Sequence, residues 1–228
     1  MNVYFLVEGR RTEYKVYPQW LSVLVPALTR VDHPDLATQN HYYLFNGNGY
    51  PSILNHLRNA VADINAHGNF QYLVMCIDAD EDTVQERRNE VEAFMAAHHI
   101  TLNEGATFAL LVQNRCIETW FLGNKRIYRQ QTDNPVLRQY MGFYNVREND
   151  PELMGRPHAH ETHAQFHFSY LREMLAERNM HYTKKNPVGV TERTYLTQLI
   201  RRASTSNHLR TFQDFVSLCA QIQARMNG

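Results

Sequence analysis

Four continuous apolar runs, at residues 1–7, 41–45, 71–77 and 107–112, are each followed by a segment whose apolar residues recur at steps of three and four. This alternation limits the fold more than any other feature of the chain. A strand that is apolar throughout must be covered on both faces, and in a parallel sheet the crossover helices provide the cover. The helical stripes are Tyr14, Tyr17, Leu21, Leu24, Val25 and Leu28 after the first run and Ile53, Leu54, Leu57, Val61 and Ile64 after the second. Val84, Val91, Phe94 and Met95 follow the third, and Ile117, Trp120, Phe121 and Leu122 the fourth. Asn46-Gly47-Asn48-Gly49 supplies the turn between the second strand and its helix.

The expectation is therefore an α/β protein. Residues 1–125 form a parallel sheet of about four strands with crossover helices, and the third run, residues 71–77, is the central strand. Residues 126–228 form a mainly helical C-terminal region packed on that sheet, with helical stripes over 168–178, 191–202 and 211–225. The stretch 129–157, rich in Asn, Asp, Pro and Arg, reads as irregular.

Composition narrows the function classes. With 43% hydrophobic and 20% charged residues the chain can bury a sizeable core, which excludes wholesale disorder. The 23 Lys and Arg balance 23 Asp and Glu, which argues against non-specific coating of nucleic acid; any such contact must come from a local patch. No apolar run approaches the roughly 18 to 20 residues that span a bilayer, so a soluble, cytoplasmic protein without membrane contact is expected. Cys76, Cys116 and Cys219 lie far apart with no C-x-x-C, as buried thiols of a reducing compartment would.

In open parallel sheets the working groups collect where strands end. Here those ends are mostly acidic. The first strand ends in Glu8-Gly9, the third in Asp78-Ala79-Asp80-Glu81-Asp82, and the segment after the fourth presents Asn114 and Glu118. Asp78 and Asp80 are two apart, so in extended chain both side chains leave on one face. Two hard oxygen donors so close repel one another unless a cation such as Mg²⁺ or Mn²⁺ lies between them. Glu13 falls in the first turn of the next helix and is placed to point back at the same rim. A helix-start acid and a solvated acidic loop are the plain alternatives for Glu13 and for the DADED run. The joint placement after an EG turn and a buried strand favours a metal site.

The segment VYFLVEGRRTE, followed some seventy residues later by YLVMCIDADED, resembles the TOPRIM (Rossmann-like) domain, with its Glu-Gly after the first strand and Asp-x-Asp after the third. Together with NRCIETWFLGN, the EGRRTE segment is most similar to the RloB-like and OLD-like nucleases associated with bacterial anti-phage defence (abortive infection). The resemblance implies Glu8 as a metal ligand or general acid/base, Asp78 and Asp80 as Mg²⁺ ligands, and Glu13 and Glu118 as supporting acids. It also implies an ABC-type ATPase partner, which must be a separate chain because no G-x-x-x-x-G-K-[ST] motif occurs here.

Such a site would hydrolyse phosphodiesters. Divalent cations bind the non-bridging oxygens and make hydroxide available, and Glu8, Asp78 and Asp80 are the expected catalytic carboxylates. Glu13, Asp82 and Glu118 are candidate ligands of a second ion. Charge gathering in the transition state calls for cations, with Arg10, Arg11, Lys184 and Lys185 as candidates for contact with nucleic acid or phosphate. His158, His160, His163 and His167 cluster in RPHAHETHAQFH without H-E-x-x-H order, so an exposed polar segment is the favoured reading over a metal site. Two other functions compete with a nuclease on DNA or on tRNA or other RNA. One is a non-catalytic regulatory or binding subunit, and the other is a small-molecule phosphohydrolase. A symmetric homodimer would let two sites address both strands of a duplex.

Overall fold

The computed structural model describes residues 1–187 and 189–227. Five strands form one parallel sheet: β1 (Val3–Val7), β2 (Thr29–Val31), β3 (His41–Asn46), β4 (Tyr72–Asp78) and β5 (Thr107–Gln113), in the order β2-β3-β1-β4-β5. The helices are α1 (Glu13–Leu24), α2 (Ser52–His67), α3 (Val84–Ala97), α4 (Ile117–Phe121), α5 (Pro135–Phe143), α6 (His163–Ala176), α7 (Arg193–Thr205) and α8 (Arg210–Asn227).

The α/β expectation holds, with two corrections. The sheet has a fifth strand, β2, which has only three residues, lies at the edge and has no fully buried side chain, so it leaves no apolar run to read. The middle position belongs to β1, with β4 beside it. All five residues of β1 are buried, as are Tyr72 to Ile77 of β4, which is why both read as unbroken apolar runs. Val7 of β1 stands opposite Cys76 of β4.

By their contacts the residues fall into two compact units. The first comprises residues 1–77, 84–112 and 217–228, and the second residues 78–83 and 113–216.

In the first unit α1 buries Val16, Tyr17, Trp20 and Leu21, and α2 buries Ile53, Leu54, Leu57, Val61 and Ile64, the latter the same stripe read from the sequence. Helix α2 stops at Gly68, whose φ of 65° is the left-handed conformation that closes helices.

The second unit is organised around helices and aromatic contacts. Trp120 meets Phe212 edge-on at 5.5 Å and lies nearly parallel to Phe215 at 6.0 Å. Its indole N–H donates to Thr211 Oγ1 at 2.8 Å, and the hydroxyls of Tyr170 and Tyr195 donate to the carbonyls of Tyr144 and Phe121. Helix α5 arises in the stretch read as irregular: Asn134 accepts from the N–H groups of Val136 and Leu137, and Pro135 takes the first helical position.

Among the described residues no helix is long and apolar enough to cross a membrane. The three cysteines are buried and, among the described residues, none is in a disulfide.

Candidate metal centre

The strand order reverses at β1 and β4. From β1 the chain runs to β2 and β3 on one side, and from β4 it runs to β5 on the other. In open α/β sheets the carboxyl ends of the strands at such a switch point are the usual place for a ligand. Glu8 directly follows β1, and Asp78 is the last residue of β4.

In the first unit Glu8 organises the turn that leads into α2. Its N–H donates to Cys76 O at 3.1 Å, its carbonyl accepts from Gly49 N–H at 3.0 Å, and its Oε1 accepts from Tyr50 N–H at 3.1 Å. Asn48 and Gly49 both take positive φ, which an Asn-Gly pair tolerates and a branched residue does not. Gly9 is needed for a different reason: a Cβ there would overlap the Glu13 carboxylate. Glu13 thus lies back over the turn that carries Glu8, and it is 7% exposed. Arg10 and Arg11 are exposed on the same turn.

In the second unit the acidic loop is pinned by backbone and by one arginine. Ala79 N–H donates to Gln113 O and Asp80 N–H to Arg115 O, both at 2.9 Å. The Arg115 guanidinium returns to the carbonyls of Asp80 at 3.2 Å and Asp82 at 2.9 Å. Asp80 sits at φ 52°, one of the few non-glycine types that accept this region readily. Asp78, Asp80 and Asp82 are half-buried.

Glu81 turns to other partners: its carboxylate accepts from the N–H of His163 at 2.7 Å and meets His163 Nδ1 at 2.9 Å and Arg156 at 3.3 Å. Burial alone would raise its pKa, but the His163 N–H and ring, with Arg156, outweigh that and hold it below the ordinary carboxylate value.

Glu118 is 1% exposed. Its Oε1 accepts from the Tyr182 hydroxyl at 3.0 Å and faces Lys184 Nζ at 3.8 Å, while its Oε2 is buried and has no hydrogen-bond partner among the described residues. A buried carboxylate oxygen left so is costly unless a cation completes it. Lys184 and Lys185 form the tip of a tight turn closed by Thr183 and Asn186, and both are exposed. The thiol of Cys116 is pushed far up, first by burial and then by the negative charges of Glu118 and Asp78, which places both carboxylates within electrostatic reach of it. Cys116 is therefore an inert thiol rather than a nucleophile.

The donors fit a hard cation by type, being carboxylates rather than thiolates or imidazoles. Among the described residues no three His, Cys, Asp or Glu side chains form a ready-made cage. Mg²⁺ does not require one, because it ordinarily keeps several waters and takes one or two carboxylates together with substrate phosphates.

The histidine cluster divides into separate uses. His158 and His160 stack on each other at 5.5 Å, and His163 serves Glu81. His167 is fully buried, with Nδ1 against Thr119 Oγ1 at 2.7 Å and Nε2 against Met154 O at 3.2 Å. The carbonyl can only accept, so Nε2 carries the proton and Nδ1 accepts from the threonine, leaving the ring neutral. Sequence reasoning passed over Arg115 and Tyr182, whose partners are brought together only by folding. Arg115, next to Asn114 at a strand end, carried the better signal.

No protein-family model, no curated protein and no solved structure matches the chain.

Proposed function

We propose that the protein is a metal-dependent nuclease hydrolysing phosphodiester bonds of DNA or RNA, with Glu8, Asp78 and Asp80 as its catalytic carboxylates. The observation that carries this reading is the position of Glu8 and Asp78 at the carboxyl ends of neighbouring parallel strands where the strand order reverses. A bound Mg²⁺ or Mn²⁺ would polarise the phosphate and lower the pKa of water. Asp78 and Asp80 would hold it from a loop that Arg115 fixes through two carbonyls, and Glu13 would reinforce the charge around Glu8 from above Gly9. The buried Glu118 Oε2, an acceptor with no donor among the described residues, supports a role in the same chemistry. Arg10 and Arg11, exposed beside the Glu8 turn, are free of bulk cover to meet substrate phosphates. Action in anti-phage defence beside a separate ATPase rests on the resemblance of the EGRRTE and NRCIETWFLGN segments.

A second reading, a non-catalytic binding subunit, draws on Tyr182 and Lys184, which give Glu118 a hydrogen bond and an ion pair from within the protein. Cleavage of plasmid DNA, single-stranded DNA and total tRNA, with Mg²⁺ or Mn²⁺ against EDTA, separates the two. Cutting that requires the metal and disappears in both Asp78→Ala and Glu8→Ala is the expected result. Absence of cutting with every substrate, alone and with a neighbouring ATPase, overturns the nuclease reading.

A further inference from the structure

A second charged feature lies wholly within the second unit and includes none of the acidic residues discussed above. Lys125, Arg126, Arg147, Arg178, Arg201 and Arg202 line one cavity of about 510 Å³. Among the described residues none of the six forms an ion pair with a carboxylate. In a chain whose formal charge is zero, six cations around one concavity are a local concentration and not a reflection of overall basicity.

Two of the six are fixed in advance. Arg202, 4% exposed, donates to the carbonyls of Gly123 at 3.1 Å and Asn149 at 2.6 Å, and meets His208 Nδ1 at 3.0 Å. Arg178 donates to the carbonyls of Ile127 at 3.2 Å, Arg126 at 2.9 Å and Tyr128 at 3.2 Å. Lys125, Arg126 and Arg201 are exposed and reach the cavity on flexible stems. Their mutual repulsion is felt: burial, then the charges of Arg202 and Arg147, lower the pKa of Lys125. Asp150 and Glu148 lie near enough to act on Arg202 and Tyr128, but they do not cancel six cations.

We propose that this cavity binds a compact oligophosphate, the phosphate chain of a nucleoside triphosphate being the ligand class. Clustered guanidinium groups held by carbonyls match phosphate oxygens, and a multiply charged anion relieves the repulsion among them. The volume is that of a small-molecule site and exceeds what one inorganic phosphate fills. The single aromatic lining residue, Tyr128, is 6% exposed, so its ring is closed to stacking by a base. Recognition therefore falls on the phosphates, and this disfavours the stacking mode by which single strands are held.

Calorimetric titration of the full chain with tripolyphosphate, ATP, inorganic phosphate and a single-stranded oligonucleotide tests the proposal. EDTA is present throughout, so that the outcome does not depend on a metal centre. Tripolyphosphate and ATP are expected to bind with similar affinity and about tenfold or more above inorganic phosphate, as expected when several cations act together. Arg126→Glu with Arg201→Glu, both at exposed positions, weakens both ligands by about tenfold or more, whereas the equal charge change Arg193→Glu with Arg210→Glu, outside the cavity, leaves them within about twofold. Absence of oligophosphate binding, equal weakening by the two double variants, or binding of the oligonucleotide alone overturns it.

Discussion

The two units solve the problem of a core differently. In β1 and β4 the interior is apolar from end to end, and the polar residues Glu8 and Asp78 stand only where the strands stop. In the second unit Glu118, Asp150, Glu152, His167, Arg202 and Thr211 are all buried within the packing itself. An apolar core needs only shape and is indifferent to pH. A core with ionisable groups needs each of them bonded and in one charge state. The first unit buries polar groups as well, Asn2, Thr12, Glu13 and Arg87, but outside β1 and β4. His167 and Glu152, the buried groups whose pKa values move within the acid-to-neutral range, lie in the second unit, and the pH response they confer resides there.

That contrast is most exposed by acid and by base. His167 is buried neutral, and burial lowers its pKa from 6.5 to about 3. The unfolded chain takes up a proton at this histidine before the folded one does, so the stability it confers is present above about pH 6.5 and falls as pH drops toward 3. The loss amounts to roughly 5 kcal/mol for a shift of this size. Glu152, by contrast, is raised from 4.5 to about 7, chiefly by burial and against the bonds it accepts from Thr211. Its contribution is complete below about pH 4.5 and is lost as pH rises through 7, at roughly 3 kcal/mol. Between about pH 4.5 and 6.5 the two slopes oppose each other, and the urea-unfolding free energy is expected to be nearly flat there. Glu152→Gln should remove the fall on the alkaline side and leave the acid fall in place. An unchanged alkaline fall in that variant would break the comparison.

Arg202→Leu comes next. It removes the donors to Gly123 and Asn149 carbonyls inside the second unit, at a cost of roughly 3 kcal/mol in unfolding free energy. Leu73→Ala in β4, also fully buried, should cost a similar ~3 kcal/mol, but as a cavity and without pH dependence. Unfolding curves of the two variants at pH 5 and pH 8 would sharpen the distinction. The smallest effect is expected at Gly9→Ala, where the new Cβ displaces the Glu13 carboxylate: about 1 to 2 kcal/mol by thermal unfolding.

What could be read in advance follows the same division. Strands β1 and β4 were legible because burial on both faces leaves apolar runs, and β3 and β5, only partly buried, because their sequences are apolar as well. Helix α2 was legible because Ile53, Leu57, Val61 and Ile64 fall on one stripe. Strand β2 was not, since three edge residues carry no period. Helix α5 was hidden because Asn134-Pro135 reads equally as a turn, and α6 begins at His163, ahead of its apolar stripe, through a capping box between Thr162 and Gln165. The carboxylates after β1 and β4 could be picked out because strand ends are positions in a pattern. The surroundings of Glu118 could not, because Tyr182 is 64 residues away in sequence. The basic cavity was equally invisible, being assembled from residues spread between Lys125 and Thr205.

The proposed nuclease requires Glu8 and Asp78 to bind a hard divalent cation, and direct Mn²⁺ binding tests that requirement more immediately than any cleavage assay. Titration followed by electron paramagnetic resonance on the wild type, Glu8→Gln and Asp78→Asn should show Mn²⁺ binding that Mg²⁺ displaces and that each substitution weakens severely. Undiminished Mn²⁺ binding in both variants, or none in the wild type, would contradict the account.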